Sequence, residues 1–131
     1  PTPLHSSAAS DVYKRQHYPL RGRVGLPYGP STRALRNALD VEAFLMGTDR
    51  IGAILHGHEH HGFKVDIETG GGLRPILNPG ASGYAPQPAL DRTAHLNVYE
   101  VDAAGLHDIR RLRFMDGAFE PEPGGAYATG R

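Results

Sequence analysis

Four of the chain's eight histidines, His56, His58, His60 and His61, fall between positions 56 and 61 and carry the clearest chemical signal. Neutral imidazole is a good ligand for zinc, manganese or iron and needs no thiolate beside it. In an extended segment residues i and i+2 point the same way, so His58 and His60 are expected to project together, with Glu59 facing away. Two imidazoles converging past the C-terminal end of a buried strand form half of a transition-metal site. Gly57 permits a sharp turn there. His17 is a third candidate ligand, two residues before Pro19, whose ring forces extension on Tyr18. His56 is read as packing or hydrogen-bonding to the site, and His61 as touching substrate or a supporting group. His95 and His107 read as surface or satisfied core residues. Arg21 and Arg23 read as solvated cations.

These side chains need a frame. Asp40 is expected to cap a helix over 41–46 that stops at Gly47, and residues 32–37 allow a short helix before it. The apolar run 51–55 suits a strand buried on both faces. After the histidines, 63–67 alternates apolar and polar, the pattern of a strand with one wet face. A glycine turn over 68–72 leads to a hairpin partner at 73–77. Residues 78–83 form a second glycine-rich loop, in which Asn78 and its neighbours could line a pocket through backbone N–H groups. A further hairpin is expected from 95–101 and 106–113, with Arg110, Arg111 and Arg113 as a basic edge that resists stray pairing. The expected core is Ile54, Leu55, Val65, Ile67, Ile76, Leu77, Leu96, Val98, Ile109 and Leu112. The class is therefore α/β, β-rich with one main helix.

On these segments the chain resembles the calcineurin-like metallophosphoesterases. His17, Tyr18 and Pro19 match that family's H-x-P, and Gly57, His58, Glu59 and His60 match its G-H-x-H. Residues 78–83 look like the N-P-G-S loop of some members. The likeness covers roughly 17–115 and corresponds to the C-terminal half of a four-layer α-β-β-α sandwich. It implies two divalent ions (Zn, Mn or Fe), with His17 and His58 on one and His60 on the other. It also implies hydrolysis of small phosphomonoesters or phosphodiesters by a hydroxide bridged between the two ions. His61 and Asn78 would lie beside the substrate or support the ligands. The family's D-x-H, G-D-x-x-D and G-N-H-[ED] motifs have no match here. The general acid and the bridging Asp are therefore expected outside this chain, which should be inactive or nearly so by itself.

Composition narrows the alternatives. Within 131 residues, Lys plus Arg and Asp plus Glu are 14 each, which argues against a broad nucleic-acid or membrane footprint. Absence of cysteine excludes disulfide frameworks and thiolate chemistry and fits a cytoplasmic protein. No apolar run approaches a membrane span. A metallo-β-lactamase-like hydrolase would need H-x-H-x-D-H, whereas His61, Gly62 and Phe63 come after His60. A cupin would want a Glu four or five residues after the second histidine. The remaining rival is a non-enzymatic, β-rich module that binds metal or a partner. Residues 1–16 read as a disordered or non-native leader resembling a translated adapter scar, and 116–131, rich in Pro and Gly, as a flexible tail.

Overall fold

A computed structural model of the chain describes residues 13–16 by their backbone alone, and residues 18–27 and 34–128 fully. The architecture is β-rich: two small sheets and one α-helix. Among the described residues no helix is long and apolar enough to cross a membrane.

Helix α1 spans Ala38–Met46, beginning three residues before the expected start. Asn37 occupies the N-cap without a side-chain hydrogen bond, and Asp40 lies in the first turn. There its carboxylate still opposes the positive end of the helix dipole. The helix ends at Gly47 as expected, but in a right-handed conformation (φ −86°). The expected short helix over 32–37 lies partly outside the described residues, and 34–37 form turns.

The first sheet has the order β1-β2-β4-β3. β1 (Tyr13–Gln16), β2 (Ala53–His56) and β4 (Gly72–Asn78) are parallel, and β3 (Phe63–Thr69) is antiparallel to β4. Of the expected leader, 1–12 lie outside the described residues, while the backbone of Tyr13–Gln16 supplies β1. The alternation in β3 is clear: Phe63, Ile67 and Thr69 are buried while Lys64, Asp66 and Glu68 are exposed. At the β3–β4 turn the Gly70 N–H donates to the Leu45 carbonyl at 2.9 Å, closing the end of α1. A side chain at Gly70 would press on the carbonyl oxygens of Thr48 and Met46, at 2.7 and 2.9 Å from its Cβ. That approach requires glycine. Leu20, Leu45, Ile51, Ile54, Phe63, Ile67 and Ile76 form the buried apolar cluster between helix and sheet. Each such side chain contributes about 1.5–3 kcal/mol when fully buried.

The second sheet is an antiparallel meander of β5 (His95–Asp102), β6 (Gly105–Met115) and β7 (Ala118–Pro121). Two expectations change here. The chain beyond Asp116, read as a tail, continues as β7 and then as turns that carry the buried Glu122. Because β7 covers it, β6 is the central strand rather than an edge, so its arginines do not guard an edge. The apolar residues of this sheet are also less enclosed than expected. Leu96, Val98, Ile109 and Leu112 are only half-buried, as are Leu55 and Val65 in the first sheet. Helix α1 packs against β3 of the first sheet.

Candidate functional site

Parallel pairing aligns the chain's chemistry. Gln16 lies opposite His56, and Leu55 opposite Leu77, so β1, β2 and β4 all end on one edge of the first sheet. Ligand sites in parallel sheets form at the carboxyl ends of the strands. Beyond those ends lie Tyr18 with the buried Pro19 and Leu20, then the histidine loop 57–62, then the loop 79–83. His17 itself lies outside the described residues.

The histidine loop is not extended. β2 stops at His56, and His58 takes φ +67°. The Glu59 N–H donates to the Gly57 carbonyl at 2.8 Å, which makes a γ-turn centred on His58. Such a conformation costs about 1–3 kcal/mol in a non-glycine residue and persists only where surroundings impose it. Asn78 imposes it from below. It is fully buried, and its amide donates to the carbonyls of Glu59 (2.9 Å) and His61 (2.8 Å). Asn78 therefore braces the loop from inside, where no substrate reaches it, and its Oδ1 has no partner among the described residues.

Because of that turn, the simple i, i+2 projection of His58 and His60 gives way to two separate seats. The His58 ring packs on Tyr18 with centroids 4.8 Å apart. His60 Nδ1 lies 3.0 Å from the Tyr84 hydroxyl, with the rings edge to face. His61 is exposed, and together with His60, Tyr84, Arg23, Arg92 and His95 borders a cavity of about 230 Å³. His56 points inward: it is buried against Phe63, and its Nδ1–H donates to Gly57 O at 3.1 Å. Burial holds its pKa below the ordinary value of 6.5. His95 is lowered too, first by burial and then by the positive charge of Arg111. His107 is exposed and pairs with Asp102. Arg21 pairs with Glu42 at 3.0 Å, whereas Arg23 borders the cavity.

A second layer under the site has little signature in the sequence. Arg111 of β6 is 1% exposed and reaches across to the first sheet, donating from Nε and NH2 to the Pro79 carbonyl at 3.1 Å each. Its NH1 meets Glu122 at 2.8 Å in a fully buried ion pair. Glu122 also accepts from the Tyr127 N–H at 2.8 Å, and the Tyr127 ring lies against the guanidinium. The Tyr127 hydroxyl donates to Asn78 O at 3.0 Å and accepts from Asn97 at 2.6 Å. Burial pushes the Tyr127 phenol up, so it remains a donor. Gly62 completes the layer, since any side chain there would collide with the Arg111 guanidinium. The sequence signal for Arg111 is divided. It shares strand parity with Ile109, an expected core residue, but not with Leu112, another. For Glu122, in a Pro-rich stretch, no such signal exists.

Imidazole is a donor that borderline divalent ions accept, and His58 and His60 carry it in one braced loop but in separate seats. Among the described residues, no three His, Asp or Glu side chains assemble as a ligand set. No family model, curated protein or solved structure matches the chain.

Proposed function

We propose that this chain is the C-terminal part of a metal-dependent phosphoesterase. In this reading the two sheets belong to a four-layer α-β-β-α sandwich, and His17, His58 and His60 are metal ligands. The observation that supports it best is the alignment of three parallel strand ends. They bring Tyr18, the histidine loop and the Asn78 loop to one sheet edge, with the Tyr18 and His58 rings in tilted contact.

The chain's own residues divide the work. The hydrogen bond between Nδ1 and the Tyr84 hydroxyl fixes the orientation of the His60 ring, and in the tautomer whose Nδ1–H donates to Tyr84 the Nε2 lone pair is left for a ligand. The Asn78 amide holds the carbonyls on either side of His60, so the loop is set before any ligand arrives. His61, Arg23 and Arg92 border the cavity where a phosphoester's oxygens would sit. Divalent ions held at this edge would supply Lewis acidity for hydrolysis of a phosphomonoester or phosphodiester at neutral pH. The general acid and further ligands belong to a part of the fold this chain lacks, so the chain alone should be inactive.

Calorimetric titration with Zn²⁺ or Mn²⁺ tests the ligand assignment. Replacing His17, His58 or His60 with Ala should each weaken binding by about tenfold or more, whereas His107→Ala should not. Equal binding by all four variants overturns it. Sequencing the reading frame upstream of His17 tests the enzyme assignment. It should carry D-x-H, G-D-x-x-D and G-N-H-[ED] in that order, and a frame without them ends the hydrolase reading.

A further inference from the structure

Beside the cavity at His60 and His61 lies a second one of about 290 Å³. Asp91, Arg92, Thr93 and His95 border both, so the two adjoin along one shared border. That border is built in advance. Gln87 and Arg92 exchange backbone hydrogen bonds of 2.7 and 3.2 Å around the short turn Pro88–Leu90. Thr93 Oγ1 donates to Phe114 O at 2.7 Å, and the Phe114 N–H donates to Ala94 O at 2.9 Å.

The two compartments differ in chemistry. Around the first, Arg23, Arg92 and three imidazoles face one carboxylate, Asp91, so the balance favours an anion. Around the second, Arg92 and Arg113 are balanced by Asp91 and Asp116, while Glu122 is already neutralised by Arg111. Its apolar lining comes from Pro86, Pro88, Phe114 and Met115. A second phosphate is therefore disfavoured there, and a flat uncharged group is favoured. The Arg113 Nε is buried without a hydrogen-bond partner among the described residues, a donor that an acceptor atom on such a group would satisfy.

We propose that the phosphoester recognised at this site carries an uncharged aromatic ring system. The phosphate lies at His60, His61, Arg23 and Arg92, and the ring lies past the shared border against Phe114, Met115, Pro86 and Pro88. This inference rests on the phosphoesterase reading of the histidine loop and adds the class of substrate. It disfavours polyphosphate chains, because the second compartment offers them no excess of positive charge. Each compartment alone is small for a ligand site, and together they enter the usual range of roughly 300–1,000 Å³.

Titration of the ¹⁵N-labelled 131-residue chain with inorganic phosphate, methyl phosphate and phenyl phosphate, in the presence of Zn²⁺, tests it. All three should shift the amide signals of His60 and His61. Phenyl phosphate alone should also shift Phe114 and Met115, and it should bind about tenfold tighter than methyl phosphate. Met115→Ala and Phe114→Leu, the second chosen to keep the strand packed, should each remove most of that preference. If phenyl and methyl phosphate bind alike, with Phe114 and Met115 unmoved, the aromatic compartment is refuted and the phosphoesterase reading stands. If no probe shifts His60 or His61, the phosphate site itself is refuted, and this inference falls with it. If phenyl phosphate shifts Phe114 and Met115 but not the histidines, the joined site is refuted.

Discussion

The two sheets are held by opposite means. The first packs against α1 through Leu45, Ile54, Ile67 and Ile76, an apolar contact that is non-directional and tolerant of small shifts. The second has half-buried apolar faces and joins the first through one buried guanidinium, one buried carboxylate and a tyrosine. Apolar packing supplies most of the stabilisation, and the polar junction supplies position. A buried ion pair adds little net stability over an apolar substitute, yet it is costly to break from one side. Here the junction touches Asn78 and Pro79, the residues beneath the candidate site. The weaker-packed half of the molecule thus sets the geometry of the chemically richer edge.

The largest effect should come from Glu122→Ala, which strands the Arg111 charge. We expect a loss of about 3–5 kcal/mol in urea unfolding. The double variant Arg111→Met with Glu122→Leu should recover most of that stability but not the Zn²⁺ affinity, because the hydrogen bonds to Pro79 are gone. If both recover together, the junction is only a packing element. Next, Ile76→Ala should cost about 2–5 kcal/mol, whereas Val98→Ala in the half-buried meander should cost about 1 kcal/mol. Equal costs would erase the contrast between the sheets. Asn78→Ala should cost about 2 kcal/mol and free His58 from its γ-turn, read as a weaker Zn²⁺ isotherm. Acid should have the smallest effect. His56 and His95 are held neutral, with folded pKa values below 6.5. The unfolded chain therefore binds the extra protons first as pH falls. Stability should be level above 6.5 and decline as pH drops from there through the lowered folded values. A melting series from pH 8 to 5 should show this, with a shallower decline in His56→Gln.

Much of the first sheet is legible in sequence, because its signals are local. Alternation fixes the face of Phe63, Ile67 and their neighbours, and Gly47 and Gly70 mark real ends and turns. The histidine loop is legible as chemistry but not as shape. Periodicity says nothing about a γ-turn imposed by Asn78 from nineteen residues away. The Arg110 to Arg113 run misleads because charge suggests surface, and parity does not correct it, since Ile109 and Leu112 lie on opposite faces of the strand. Glu122 and Tyr127 are illegible, since their burial depends on partners contributed by β6 and the Asn78 loop.

Arg111 ties the chain's end to its most reactive stretch. Removing only the residues after Pro121 deletes Glu122 and Tyr127 and leaves every histidine in place. Such a trimmed protein would retain the whole motif on paper while its anchoring cation, with no counter-charge, pulls away from Pro79. A protease nick near the C-terminus would then act as a remote off-switch for the metal capture proposed for residues some sixty positions upstream.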